Sequence, residues 1–561
     1  MFSGNGGMRW NISEKSLLGL QFSLSRTVSH NHSTNARATF DARPMLDARH
    51  PFTESKSYAP ESIINEVHGS SKGDDKSNDY NITANFTQRL NESGTSLSLK
   101  GEYSQATARS NHFDRSTTTY HRLHSVLGGD SLYLLDRYSQ SPTTRKQTYG
   151  ELSFSQPIGA NVSVQLAYKF SASRESTHHN TYDLSPFANR HSPIGTLPPL
   201  YRQGFVDSLS NHSRSTTTTN ELRCTFNYNC EPFEIEADLV LSPQHRSISQ
   251  NEGAVKIDTT LRMTIFSPSF NISWQREQVT LAASYSGSTS LPPLRSLLTL
   301  TDDRDPLNKT QGNPNLRSTY SQNIRFNADL TRLGLSASAE WQNELNSVTE
   351  DIVYNAQTGS RTTRPVNING NWSAGGEVYY RQSFGAFNIN TNIRGDYSQN
   401  VALMNAERSY TRSNSMQCSL QANYAPKWGR IALQTLWNIH RSTYTQNHSH
   451  DLLRHYSTSL DAYATMFDCL TLNTTATYSL RSGTNVQRKD RSQIVWNTSA
   501  EWRFLHKKQL TLGLSWNDIL SQRRSYQRDA DLTGLNETYT PQIGSYALVT
   551  LRYDFNLILN K

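Results

Sequence analysis

The run Leu510-Thr511-Leu512-Gly513-Leu514-Ser515-Trp516-Asn517 places an apolar residue at every even position and a small or polar one at every odd position. Successive side chains of a β-strand point to opposite faces, so this run has one apolar face and one polar face. The same period recurs where Leu470, Leu472, Thr474, Ala476, Tyr478 and Leu480 alternate with Thr471, Asn473, Thr475, Thr477 and Ser479. It recurs again where Val162, Val164, Leu166, Tyr168 and Phe170 alternate with Ser163, Gln165, Ala167 and Lys169. Alternation of this kind extends from the first ten residues to the last ten.

Tight turns and longer polar connections take turns along the chain, which is the order of an up-and-down antiparallel meander. Ten short turns are expected near Ser13-Glu14-Lys15, Asn91-Glu92-Ser93-Gly94, Gly159-Ala160-Asn161, Cys230-Glu231-Pro232, Gln275-Arg276-Glu277, Thr331-Arg332-Leu333, Phe384-Gly385-Ala386, Pro426-Lys427-Trp428-Gly429, Phe467-Asp468-Cys469 and His506-Lys507-Lys508. Ten longer connections are expected near residues 28–78, 109–144, 174–218, 246–258, 289–317, 354–362, 401–409, 446–452, 482–489 and 518–542. Twenty connections join twenty-one strands, the first around Met8–Ile12 and the last over Tyr546–Leu557.

Composition decides what surrounds this sheet. The 561 residues are 35% hydrophobic and only 18% charged, with a mean hydropathy of -0.67. The 27 Tyr, 20 Phe and 9 Trp are too many aromatic residues for a disordered chain. No run of 18 apolar residues exists, which excludes a membrane-spanning helix. A membrane-spanning strand leaves no such run, because lipid-facing residues alternate with polar ones. Tyr103, Trp274, Tyr285, Tyr478, Trp516 and Tyr553 stand at strand ends, as interfacial aromatic girdles require, whereas a soluble sandwich would fill its core with Val, Ile and Leu.

The reading is therefore all-β, a transmembrane antiparallel up-and-down β-barrel over residues 1–561, in contact with lipid of the cell outer membrane. Single-chain bacterial barrels carry even strand numbers, so twenty-one strands imply an intact barrel of twenty-two. Barrels of that size are too wide for wall side chains to fill and hold a plug.

The net charge of +8 comes from scattered Lys and Arg with no basic run, so nucleic acid is excluded as a partner. Cys224, Cys230, Cys418 and Cys469 lack CxxC spacing, so no metal site and no disulfide framework is expected. No nucleophile elbow, His-Glu-x-x-His, phosphate-binding loop or EF-hand spacing is present, so the chain reads as a non-enzyme without cofactor. Asp302, Asp303 and Asp305 read as solvated turn acids. The grouped histidines His30 with His32, His178 with His179, and His448, His450 and His455 read as solvated loop residues, with metal capture as the alternative. Lys100, Lys169 and Arg552 occupy polar-face positions, where they would contact a plug or line a polar passage.

One stretch carries a family resemblance. Leu294-Arg295-Ser296-Leu297-Leu298 leads to Asp302-Asp303-Arg304-Asp305-Pro306-Leu307-Asn308 and then to Gln311-Gly312-Asn313-Pro314-Asn315-Leu316 before a strand at Ser318-Thr319-Tyr320. Its order and spacing resemble a loop of TonB-dependent receptors, in their outer membrane protein β-barrel branch. Arg304-Asp305 and Arg317-Ser318 depart from that pattern. Trp516-Asn517-Asp518-Ile519-Leu520, followed by a strand holding Tyr553 and Phe555, is similar to the family's last hairpin. Physically, Pro306 and Pro314 fix φ while Asn313 and Asn315 hydrogen-bond locally, so the loop reads as rigid turns. The candidate site is Asp303, Asp305, Pro306, Leu307, Asn308, Gly312, Asn313, Pro314, Asn315 and Leu316, a structural anchor first and a ligand contact second.

The resemblance implies solute uptake across the outer membrane, with a plug domain and the TonB energy-coupling complex as partners and an unknown solute as cargo. The first thirty residues show no basic segment followed by an apolar one, so a signal peptide, the first strand and the plug are expected to be missing from this chain. The alternatives are a non-transporting surface module, an adhesin or porin-like barrel that displays long loops, and an outer-membrane hydrolase.

Overall fold

The structure, a computed structural model, describes residues 2–41, 62–124, 130–187, 193–252, 255–297, 301–302, 307–355, 357–445, 449–483, 492–505, 508–523, 525–531, 534–540 and 542–554. The described residues form strands joined by turns and a few 3-10 turns. In chain order the strands begin β1 (Phe2–Ser13), β2 (Ser16–Phe40), β3 (Ile63–Arg89), β4 (Ser96–His124), β5 (Asp130–Ile158), β6 (Val162–Asp183), β7 (Asn211–Cys230), β8 (Phe233–Glu252), β9 (Val255–Arg276) and β10 (Val279–Ser290). They continue with β11 (Thr301–Asp302), β12 (Asn308–Gln311), β13 (Thr319–Leu330), β14 (Leu335–Leu345), β15 (Ser347–Asn355), β16 (Ser360–Ile368), β17 (Asn371–Phe384), β18 (Phe387–Met404) and β19 (Glu407–Tyr424). The last are β20 (Gly429–Tyr444), β21 (Ser449–Met466), β22 (Leu470–Gly483), β23 (Ser492–Phe504), β24 (Leu510–Asn517), β25 (Ser525–Asp531), β26 (Gly534–Thr540) and β27 (Tyr546–Tyr553).

Four of these twenty-seven, β11, β12, β25 and β26, belong to the longer connections, and β15 and β16 continue β14 and β17 beyond short breaks, which leaves the twenty-one strands of the expected meander. The short turns fall where turn chemistry places them. Ser13 pairs with Ser16 across Glu14-Lys15, and Phe384 with Phe387 across Gly385-Ala386. Gly334 (φ 61) closes the turn after β13. A Cβ at Gly334 would lie 1.8 Å from the Arg381 carbonyl oxygen, so only glycine fits. The turn at His506-Lys507-Lys508 lies partly outside the described residues.

Several expected long connections are instead strand. β4 and β5 run for 29 residues each, about 96 Å at ~3.3 Å per residue, and pair through most of 109–144. Residues 28–40 of β2 pair with 63–76 of β3. The connection expected at 401–409 shrinks to Asn405-Ala406, with φ of 50° and 66°, because Met404 pairs with Glu407. Positive φ at both central residues marks a type I′ hairpin. Over residues 29–39 of β2 and 68–76 of β3 alternation gave no signal because both faces are largely polar.

The chain folds as two compact units. The first comprises Met1–Ile272, Ser286–Ser321 and Val348–Asn367. In it β1 to β8 pair antiparallel in sequence order. One cross-strand row consists of Leu99, Leu152, Tyr168, Leu222 and Leu241, each opposite the next, and all five are exposed by 43–56%. The row shifted by one residue is Lys100, Glu151, Lys169 and Glu221. A single-residue step thus exchanges an apolar row for charges of alternating sign. Phe113, Tyr138 and Leu184 form a buried cluster against Tyr182, Ile194 and Tyr201 at the far end of these strands.

The second unit comprises Ser273–Tyr285, Gln322–Ser347 and Ile368–Lys561. In it β14 pairs with β17, and β17 to β24 then pair in order before β24 meets β27. The Phe387–Tyr424 rings stack at 4.4 Å at one end of β18 and the Trp372–Tyr397 rings meet at 4.9 Å towards the other. The ten-residue step from Phe387 to Tyr397 spans ~33 Å along the strand, or ~25 Å along the membrane normal at a tilt of ~40°. That height matches the apolar band of an outer-membrane wall. Tyr103, Tyr478, Trp516 and Tyr553 are exposed by 38–49% on the apolar face, whereas Trp274 and Tyr285 are half-buried.

Ile393 is 44% exposed near the middle of that band. Ile393→Arg is expected to destabilise the folded protein by about 2–4 kcal/mol, and Asn390→Arg on the polar face by under ~1 kcal/mol. Urea titration of the protein folded into lipid vesicles reads the difference, and equal costs would contradict the assignment of faces.

Candidate functional site

The motif loop lies in the first unit. Asp303, Asp305 and Pro306 lie outside the described residues. Leu307 is 4% exposed, and its carbonyl accepts from the Arg361 amide at 2.8 Å. Asn308 begins β12, which runs parallel to β16 with Asn308 opposite Arg361. Arg361 Nε donates to Asn308 Oδ1 at 2.9 Å. The Leu307-to-Thr310 segment is thereby carried alongside the 360–368 strand.

Gly312 is half-buried, and the next residue locks the loop. Asn313 is 8% exposed; its amide N donates to the Ser296 carbonyl at 2.6 Å and its Nδ2 to the Pro365 carbonyl at 2.9 Å. Its Oδ1 accepts from the Asn315 amide at 3.0 Å, an Asx turn. Pro314 and Asn315 are exposed, while Leu316 and Leu297 are each 7% exposed. Asn367 finishes the clamp, accepting from the Arg317 amide at 2.7 Å and donating to the Arg317 carbonyl at 3.0 Å. The polar atoms of Asn313 are turned into the fold, and among the described members of the motif Pro314 and Asn315 are exposed.

The polar faces of the two units hold charge clusters. In the first, Lys169 Nζ lies 3.1 Å from Glu221 Oε1. Arg223 lies 3.5 Å from Glu221 and 3.8 Å from Asp238. Lys100 is 4.0 Å from Glu102 and also stands 5.4 Å from the Tyr149 ring centroid, while Tyr149 donates to Glu151. In the second unit Arg394 gathers three carboxylates: Asp396 through Nε at 2.9 and 3.0 Å, Glu340 at 3.2 Å and Glu377 at 3.7 Å. Arg325 holds the other oxygen of Glu340 at 2.6 Å. Gly375 stands between Glu340 and Asp396 in the register, and a Cβ there would come within 2.5 Å of Asp396 Oδ1. This missing side chain gives the cluster its room.

These charges are between about one-fifth and one-half exposed, so each pair contributes about 0–1 kcal/mol. Their chemistry is that of a hydrated wall. Sequence reasoning named Lys100 and Lys169 as polar-face residues but missed the Arg394 cluster, whose signal was the position of Glu340, Glu377, Arg394 and Asp396 opposite the apolar parity. Arg552 lies 3.6 Å from Asp554. Among the described residues no group of three or more His, Cys, Asp or Glu side chains is placed to hold a metal ion.

The histidines separate from their sequence neighbours. His30 bonds Asp74. His179 bonds Ser141 at 2.6 Å and Thr181 at 3.1 Å, while the adjacent His178 meets His212. His448 lies outside the described residues.

Asn313→Ala removes two side-chain hydrogen bonds, to the Pro365 carbonyl and from the Asn315 amide, at a nearly buried position. It is expected to cost about 1–3 kcal/mol. Amide exchange should accelerate at 313, 315–317, 366 and 367 and stay unchanged at 415–420; unchanged exchange at Asn315 would contradict the clamp.

The chain resembles several solved outer-membrane structures at low identity. The ferric yersiniabactin uptake receptor FyuA from Yersinia pestis is 9% identical, with 99% of this chain and 78% of that one covered and a TM-score of 0.38. The siderophore receptor PirA from Acinetobacter baumannii is 11% identical, with 99% and 80% covered and a TM-score of 0.38. The copper transporter OprC is 9% identical, with 88% and 80% covered and a TM-score of 0.39. No curated protein matches the chain. The profile of the outer membrane protein beta-barrel family matches residues 247–553, more than half of the chain, and the two-faced antiparallel meander is the fold that this family name describes, so the chain belongs to the outer membrane protein beta-barrel family and resides in the outer membrane.

Proposed function

We propose that residues 1–561 form the wall of a TonB-dependent outer-membrane receptor that takes up a solute, with a plug domain inside the wall and TonB supplying the pull. The observation that supports this reading is the charge-paired face opposite the lipid face. In the first unit Lys100, Glu151, Lys169 and Glu221 form such a row, and in the second Arg394 with its three carboxylates forms such a cluster. A sheet whose second face packed against protein would carry apolar residues there. Paired charges remain wettable and also offer partners to a polar plug. The Leu307–Leu316 loop resembles the receptor family's own loop, and its hydrogen bonds favour an anchoring role for Asn308 and Asn313, with Pro314 and Asn315 left to meet a solute.

A second reading has its own observation. β2 to β5 run for 25–29 residues, far beyond what a ~25 Å band requires, which suits a module that displays its outer strands. No motif supports hydrolysis.

The protein produced from its full gene in a Gram-negative host, with and without TonB, decides between these. Fluorescent metal chelates, oligosaccharides and peptides too large for porins are offered to both strains. The transport reading expects accumulation of at least one solute to fall tenfold or more without TonB. Equal accumulation in both strains would indicate a passive pore, and none in either would favour display.

A further inference from the structure

We infer that His178 and His212 form a two-histidine site for a divalent transition-metal ion on the outer strand extensions, independent of the transport reading. The two residues are directly opposite each other in the β6–β7 register. Their ring centroids are 3.5 Å apart, with the planes tilted by 48°. Both are exposed. Several other histidines of this chain have polar partners, as His30 has Asp74, His121 has Asp130 and His179 has Ser141. Among the described residues His178 and His212 meet each other and form no hydrogen bond or ion pair.

An imidazole pair in this position is unfavourable when both rings are protonated. Each ring in its neutral form has one lone pair to give to a metal ion. Two nitrogens sharing one ion at ~2.0–2.1 Å lie about 3 Å apart when they are neighbours in its coordination shell. Rings already in contact reach that spacing by rotation about their side-chain bonds, without moving the strands.

Location and donor type select the ligand. His178 shares the parity of Leu166, Tyr168 and Phe170, and it stands eight residues beyond Phe170, ~26 Å along the strand. The pair is therefore outside the apolar band and open to water. Two nitrogen donors suit Cu²⁺, Ni²⁺ and Zn²⁺ rather than Mg²⁺ or Ca²⁺, with Cu²⁺ the tightest. Both rings project from one face, so they cannot take the two opposite axial positions of a haem. Two protein ligands leave the remaining positions of the ion to water or to a chelator, which suits capture and release better than permanent storage. Arg214, two residues along β7 on the same face, opposes a bare cation weakly and would attract an anionic metal complex.

The test is a titration of the full chain, folded in detergent, with Cu²⁺, Zn²⁺ and Mg²⁺. We expect one saturable Cu²⁺ per chain, weaker Zn²⁺ and no Mg²⁺ at the same concentration. His178→Ala and His212→Ala should each weaken Cu²⁺ tenfold or more, and His179→Ala should leave it unchanged. Electron paramagnetic resonance of the wild-type complex should show hyperfine coupling to two imidazole nitrogens, a readout that survives even if a variant misfolds. Absence of saturable Cu²⁺, a spectrum lacking the two nitrogens, or binding indifferent to both substitutions would overturn the site. None of these outcomes alters TonB-dependent accumulation, so the two proposals fail separately.

Discussion

A backbone N–H or C=O left unpaired in hydrocarbon costs several kcal/mol, and antiparallel pairing removes that cost without asking anything of the side chains. The rest of this structure depends on that freedom. Leu99, Leu222, Leu239 and Leu514 are exposed by 54–56%, which in water would be an invitation to aggregate and in lipid is solvation. The buried apolar residues are few, and many lie in or next to connections, as Ile63, Ile64, Leu184, Leu297, Leu307 and Leu316 do. The hydrophobic effect therefore fixes the ends of this fold, while the ladder and the lipid fix its middle.

The same constraint explains which parts of the fold were legible in the sequence. Period two is visible only where the two faces of a strand meet different surroundings. Leu510 to Asn517 lie between lipid and water, and their alternation identified the strand without help from any other residue. Ser33 and Ser71 are paired just as firmly, with their hydroxyls 2.9 Å apart, but both faces there are wet and no period appears. The extensions of β2 and β3 accordingly read as loops. The Asn405-Ala406 hairpin was missed for a related reason: Asn adopts positive φ readily, but Ala at φ 66° is a conformation imposed by the strands on either side.

The candidate site was legible in its local chemistry and not in its partners. Asn313 followed by Pro314-Asn315 announced a rigid turn, and the Asx bond to Asn315 is that turn. Pro365 and Asn367, which hold the loop from about fifty residues away, could not be chosen from a sequence that fixes no register. The histidines show the rule more sharply. His178 and His179 look like a pair because they are adjacent, yet adjacency in a strand sends two side chains to opposite faces. The residue His178 meets is 34 positions away and became visible only when β6 and β7 were aligned.

The charge clusters are better understood by what they do not supply. Partly exposed pairs contribute little stability, so their concentration on one face cannot be explained by a need to hold the strands together. What they do is cancel. Lys100, Glu151, Lys169 and Glu221 alternate in sign across four strands, and Arg325 with Arg394 leaves only one unbalanced charge against Glu340, Glu377 and Asp396. A face of isolated charges of one sign would focus a field and sort small ions by charge. A face of locally compensated charges stays hydrated with a weak field, favouring neither cations nor anions. On the proposed transport reading, a wall of this kind keeps its polar face wet and leaves discrimination between solutes to the connections.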